Sequence, residues 1–179
     1  MQLKETKDIL NKFAKYVIQQ SRTNLTKGKK NSSKSLYNSL DFRYKPVRDG
    51  IGIQFLMDEY GIYQDKGVRG ANAYYADRAT SQSPYSFKMS SKIPPVKTLA
   101  DWAKKRNIRL RDEKGRFSKG NYNTIGFLIA RSIKDKGIRA SLFFTKPFEK
   151  AFKNLDKDII KAYQLDVEEL LKFTTNGNN

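Results

Sequence analysis

The chain has 179 residues and a formal net charge of +18, from 36 basic and 18 acidic groups, and it contains neither cysteine nor histidine. Disulfides, thiolate metal sites, cysteine nucleophiles and a Ser-His-Asp triad are excluded, and the commonest general base is missing. An apolar fraction of 38% with 11 Phe and 10 Tyr still allows a buried core, because aromatic side chains remove large areas from water. No apolar run of about 18 residues is present, so no membrane span is expected, and the charged amphipathic start lacks the apolar stretch of a secretory signal.

Residues 3–20 predict an amphipathic helix, with Leu3, Ile9, Leu10, Phe13, Tyr16 and Val17 on one face. The polar, lysine-rich stretch 21–34 reads as a loop or arm. Residues 35–46 pass from a short helix into a strand that ends near Pro46. Two further strands are expected at 51–57 and 60–65, around the turn Asp58-Glu59. Residues 68–92 form a long loop, a length that usually carries function or motion. A helix follows Pro94-Pro95 from Val96, with Leu99, Trp102 and Ala103 on its inner face and Trp102 as a core residue. The basic stretch 109–123 turns at Asp112-Glu113-Lys114-Gly115, as a projecting hairpin or a loose loop. Thr124 is expected to cap a helix that ends at Gly137 and turns Ile125, Leu128, Ile129, Ser132 and Ile133 inward. A short strand, a proline turn and a last helix over 147–173 complete the order, with a tail that frays.

The charge is uneven. Residues 1–50 carry 12 basic and 4 acidic groups, 51–90 four of each, 91–155 seventeen and five, and 156–179 three and five. Such a field attracts polyanions or the acidic surface of another protein. Lys27, Lys29, Lys30 and Lys34 form one basic cluster, and Arg109, Arg111, Arg116 and Lys119 head a second, where Phe117 and Tyr122 could stack on bases. Either cluster is a candidate contact for a polyanion or an acidic partner; the bland alternative is a solvated surface. No phosphate-loop, zinc-finger, zipper or RNP pattern accompanies them. No catalytic residue, cofactor site or metal site is singled out, since the acidic pairs Asp58-Glu59 and Asp112-Glu113 read as turns and no pattern places Glu168-Glu169 in a pocket.

Two stretches suggest contact between copies of the chain. Tyr63, Gly67, Val68, Arg69 and Gly70 lie in YGIYQDKGVRG, whose glycines allow a tight path beside another chain. Phe143, Phe144 and Phe148 crowd around Pro147, and strand alternation cannot bury both Phe143 and Phe144 on one face. One of them therefore packs inward while the other meets an adjacent helix or a subunit.

The order of SKSLYNSLDFRY, YGIYQDKGVRG, a tryptophan-containing helix and IARSIKDKGIRASLFFTKPFEKAF resembles the tail-completion and head–tail joining proteins of tailed bacteriophages, the neck or minor tail group. Ser33, Lys34, Leu36 and Ser39-Leu40 match one motif, with Lys34 in place of its glycine. Tyr60 to Val68 matches a second, with Gln64 or Asp65 near its acid and Val68 in place of its threonine. Ile129 to Gly137 and Pro147-Phe148 to Ala151 match the closing helix and ending, with Lys150 near a missing proline. The resemblance spans residues 3–155. It implies a small α/β (α+β) fold, with a curved, mainly antiparallel sheet packed against the N-terminal helix and further helices. Long basic loops are expected at 21–35, 68–92 and 109–123, and residues 156–179 add a helix and tail. It also implies a virion protein, made in the host cytoplasm and placed in the neck or tail. Its partners would be further copies in a ring, portal or connector and tail proteins, and genomic DNA in the channel. No reaction and no cofactor are implied. A small sequence-neutral nucleic-acid-binding protein is the alternative; a nuclease is disfavoured by the missing histidine.

Overall fold

The computed structural model describes residues 4–30, 33–47, 50–72, 74, 82–118 and 120–176. In chain order its elements are α1 (Lys4–Lys27), α2 (Ser35–Ser39), β1 (Asp41–Val47), β2 (Gly50–Leu56), α3 (Gly61–Lys66), β3 (Val68–Arg69), α4 (Val96–Lys105), α5 (Tyr122–Lys136), β4 (Gly137–Ile138) and α6 (Thr145–Asn176). The fold is mixed α+β. Its antiparallel strands form two separate two-stranded sheets, β1–β2 and β3–β4. The chain divides into two compact units, residues 1–59 with 142–179, and residues 60–141.

In the first unit α1 buries Leu10, Phe13, Ala14, Val17, Ile18, Ser21 and Leu25, spaced three or four residues apart. The helix therefore continues through residues 21–27, which the sequence reading placed in a mobile arm. Leu25 keeps the stripe going, and the hydroxyls along this stretch bond back into the helix: Ser21 Oγ donates to the Val17 carbonyl at 2.7 Å and Thr23 Oγ1 to that of Gln19 at 2.9 Å. Arg22 ties α1 to α2. Its Nε and Nη2 donate to the carbonyls of Tyr37 and Leu40 at 3.1 and 2.9 Å, and its guanidinium lies 5.1 Å from the Tyr37 ring centre.

The β1–β2 hairpin runs in register from Asp41 opposite Leu56 to Val47 opposite Gly50. Its Phe55 joins a cluster of four aromatic rings with Phe13, Phe144 and Phe148, in which four pairs stand edge-on at 5.2 to 6.1 Å and Phe144 stacks on Phe148 at 6.0 Å. A second cluster unites Ile18, Leu25, Leu36, Leu40 and Phe143. The helix α6 runs unbroken from Thr145 to Asn176, as the last helix expected over 147–173 requires, and packs along α1.

In the second unit α4 and α5 pack against each other through small residues. Ala100 and Ala103 are buried, and Ala100 faces Gly126, where any Cβ would stand 2.6 Å from the Val96 carbonyl oxygen. This close approach decides the fate of Trp102. On a helix it sits about 100° away from the Ala103 direction, and it is 37% exposed, with Arg106 stacked 5.9 Å from its ring centre. The expectation of a core tryptophan is corrected: the helices meet too closely to admit an indole. Leu128 is likewise exposed, while Ile125 and Ala130 are buried. The cap of α5 is Asn121, whose Oδ1 accepts from the Thr124 N–H at 3.0 Å; Thr124 donates to the cap rather than supplying it.

Candidate functional site

The stretch Tyr60–Gly70 is a helix, a glycine and a strand, not the expected strand over 60–65. Gly61 and Asp65 are buried four residues apart, as one helical face requires, while Tyr60, Ile62 and Tyr63 face outward. Gly67 ends the helix at φ 73°, and β3 then pairs Val68 with Ile138 and Arg69 with Gly137. Beyond β3 the Ala71 N–H donates to the Lys134 carbonyl at 2.8 Å. A Cβ on Gly67 would lie 2.5 Å from the Ile138 oxygen, and one on Gly70 or Gly137 would collide with the facing backbone. The glycines do permit a tight path beside a facing backbone, where the sequence suggested another chain. That backbone is the chain's own, at residues 134–140. Val68 is buried in the same joint, whereas Tyr63 and Arg69 are exposed.

The joint has a third strand-like member. The Arg69 N–H donates to the Tyr85 carbonyl at 2.8 Å and the Phe87 N–H to the Arg69 carbonyl at 2.9 Å, a parallel bridge with Ser86 at its centre. Buried Ser83 Oγ fixes the approach by donating to the Gly67 carbonyl at 2.7 Å. Part of the expected loop 68–92 is thus ordered against β3. One face of this small sheet opens on a groove of about 570 Å³, lined by Tyr60, Tyr63, Tyr85, Phe87, Pro94 and Pro95 among others.

The phenylalanines proposed for subunit contact pack into their own unit. Phe143 is 1% exposed, and Phe144 and Phe148 belong to the aromatic cluster around Phe55. The alternation argument fails because residues 143–144 are not a strand: Leu142 takes φ 50° and α6 begins at Thr145, so both rings pack inward, Phe143 in one cluster and Phe144 against both. A subunit contact through the Phe143 side chain is therefore corrected to an internal one.

Arg109, Arg111 and Arg116 stand on an exposed hairpin in the second unit. The Asp112 N–H donates to the Arg116 carbonyl at 2.8 Å, the Ser118 N–H to that of Leu110 at 2.9 Å, and Gly115 turns the chain at φ 76°. Phe117, 63% exposed, has the guanidinium of Arg111 at 4.6 Å and that of Arg109 at 5.6 Å from its ring centre. Arg116 pairs with Asp112 at 3.3 Å. Lys119 lies outside the described residues. Lys27, Lys29, Lys30 and Lys34 belong to the first unit and are exposed at the end of α1 and the turn into α2. The hairpin presents arginines already stacked on a ring, a form suited to phosphates, stacked bases or carboxylates.

Sequence reasoning missed Asp166. Buried on α6, it accepts from the Glu5 N–H, the Thr6 N–H and Thr6 Oγ1 at 3.0, 3.0 and 2.7 Å, and so caps α1 from 160 residues away. Burial pushes its carboxyl up, but the hydrogen bonds from Thr6, Glu5 and Lys4 outweigh this and hold it below the ordinary value. The signal was an acid continuing the apolar spacing Leu155, Ile159, Ala162, Asp166. Among the described residues no helix is long and apolar enough to cross a membrane, and no group of three or more acidic residues is placed to hold a metal.

No protein-family model, curated protein or solved structure matches the chain.

Proposed function

We propose that this chain is a non-enzymatic structural protein of a tailed-phage virion, one of several copies in a ring in the neck between portal or connector and tail. The observation that supports this reading is the pairing of the segments that carry the resemblance. Leu36 and Leu40 of the first motif share a core with Phe143, just ahead of the Pro147-Phe148 ending. Tyr60 to Val68 of the second motif leads straight into β3, which pairs with β4 directly after the Ile129–Gly137 helix. Motifs far apart in sequence are thus the ones that close each unit. In the ring, the exposed arginine hairpin meets an acidic neighbour or the DNA path.

Quantitative mass analysis of neck complexes from particles of the encoding phage tests the proposal. Many copies per particle are expected; a single copy, or absence from particles, overturns it. The stacked Arg109–Phe117–Arg111 arrangement favours one other reading, a sequence-neutral nucleic-acid-binding protein. Tight DNA binding by free monomer, without incorporation into particles, selects that reading instead.

A further inference from the structure

We propose that the groove on the β3 face of the second unit is a docking site for an extended acidic peptide segment of a partner protein, which adds as a strand beside residues 85–87. Three observations on this unit lead to the same occupant.

The first is an open strand edge. Tyr85 and Phe87 spend their carbonyl and N–H on Arg69, so the backbone groups of the intervening Ser86 point the other way. Ser86 is exposed, and neither its N–H nor its carbonyl has a partner among the described residues. The edge is one residue long, since Pro84 has no N–H and the Lys88 N–H and carbonyl are held by Ser91 Oγ and the Ser91 N–H, so an added strand is anchored by the Ser86 pair alone.

The second is the groove beside that edge. Val68 and Ile138 form part of its lining, with Tyr85 and Phe87 from the next segment and Tyr60, Tyr63 and the two prolines around them. Tyr63 and Tyr85 meet edge-on at 4.9 Å. An added strand sends every second side chain to one face, so bulky apolar residues at alternate positions fill this space. The groove also holds an orphan: Gln64 Nε2 is buried without a partner among the described residues. The backbone carbonyl of Gln64 is fixed by Ser141, whose N–H and Oγ donate to it at 3.2 and 2.6 Å. A buried amide donor left unmatched is costly; this one is closed off from the groove, so its NMR signal reports on a segment seated over Gln64 without being bonded to it.

The third is charge. Lys92 lines the groove, Lys88 is exposed one residue past Phe87, and no carboxylate lines the site. Glutamate or aspartate between the apolar positions would complement these lysines. A second copy of this chain would instead bring its own Lys88 and Lys92 against them at an edge-to-edge contact, so the occupant is a different protein.

The inference does not rest on the neck assignment, and its test needs no particles. The probe is a fluorescein-labelled octapeptide of alternating glutamate and phenylalanine or valine, titrated into the full chain with nitrogen-15 NMR alongside. Saturable binding is expected, with shifts at the Ser86 N–H and the Gln64 side-chain amide. Tyr63→Ala and Lys92→Glu, both at exposed positions, should each weaken binding by about tenfold. A composition-matched peptide without alternation should bind more weakly. The proposal is overturned by absence of saturable binding, or by shifts confined to the arginine hairpin, which would mark simple charge attraction. It is equally overturned if a peptide with proline at every second position binds as well, which would mark capture without strand pairing. Shifts of the same signals on concentrating the chain alone would make the occupant a second copy and also overturn it.

Discussion

Asp166 Oδ2 accepts both the backbone N–H and the hydroxyl of Thr6, at 3.0 and 2.7 Å, so a carboxylate late in the chain closes the N-terminus of its first helix. Because the folded-state carboxyl is held below its ordinary value, the charged form favours the fold. The contribution is present above the unfolded-state pKa of about 3.9 and is lost as pH falls through the lower folded-state value. Urea unfolding of the wild type and Asp166→Asn, followed from about pH 6 to about pH 2, should show the two curves converging at the acid end. A constant difference across that range would remove the carboxylate from the explanation.

Gly70→Ala and Gly137→Ala should each cost about 3 kcal/mol or more, since the new methyl group meets facing backbone that cannot move aside. Gly115→Ala is the matched control. Its φ is 76° but nothing stands within 4 Å of the added carbon, so only the left-handed backbone penalty of about 1 kcal/mol is expected. Denaturant unfolding separates the two classes; equal losses at all three sites would show that backbone conformation, and not close approach, sets the requirement.

Trp102→Ala should cost about 1 kcal/mol, well under the roughly 3–5 kcal/mol of a buried aromatic. Phe143→Ala should fall within that larger range, because the ring is enclosed by Ile18, Leu25, Leu36 and Leu40. Tryptophan emission of the native chain should be partly red-shifted, in keeping with the exposed indole edge. A blue, quencher-resistant emission would restore the tryptophan to the core.

Replacing Arg109, Arg111 and Arg116 by serine should change stability by no more than about 0.5 kcal/mol per site, as all three are exposed. Incorporation into particles or retention of their DNA should fall, and any DNA binding by the monomer should lose part of its salt slope. Normal assembly, genome retention and infection with all three changed would reduce the hairpin to a solvated surface.

What the sequence disclosed follows periodicity, and what it hid follows tertiary geometry. The stripe through Leu10, Phe13 and Val17 announced α1, and Asp112-Glu113-Lys114-Gly115 announced the basic turn. The polar look of residues 21–27 concealed helix because one leucine in seven residues is a weak stripe, although Leu25 lies wholly inside. Trp102 misled because hydrophobicity by itself does not say how closely two helices approach; Gly126 on the partner helix set that distance. The glycines of 67 and 70 signalled close passage but were read as lying beside another chain, because no local pattern could name residues 134–140 as the neighbour. Asp166 was legible only as an acid out of place on an apolar face.

The two units differ in how their sequence is distributed. Residues 60–141 are continuous, whereas the other unit joins residues 1–59 to residues from 142 onward. On the ribosome, the inserted unit has all its pairing segments once β4 has emerged. At that moment α1 still lacks both the aromatic face of α6 and the carboxylate that closes its first turn, so Phe13 and Val17 have only the hairpin side of their cluster, Ile53 and Phe55, to cover them. The nascent chain therefore completes its middle before its frame. Ribosome-bound chains released by limited proteolysis at successive lengths should show residues 60–141 protected first and α1 protected only after Leu155 and Asp166 have cleared the exit tunnel.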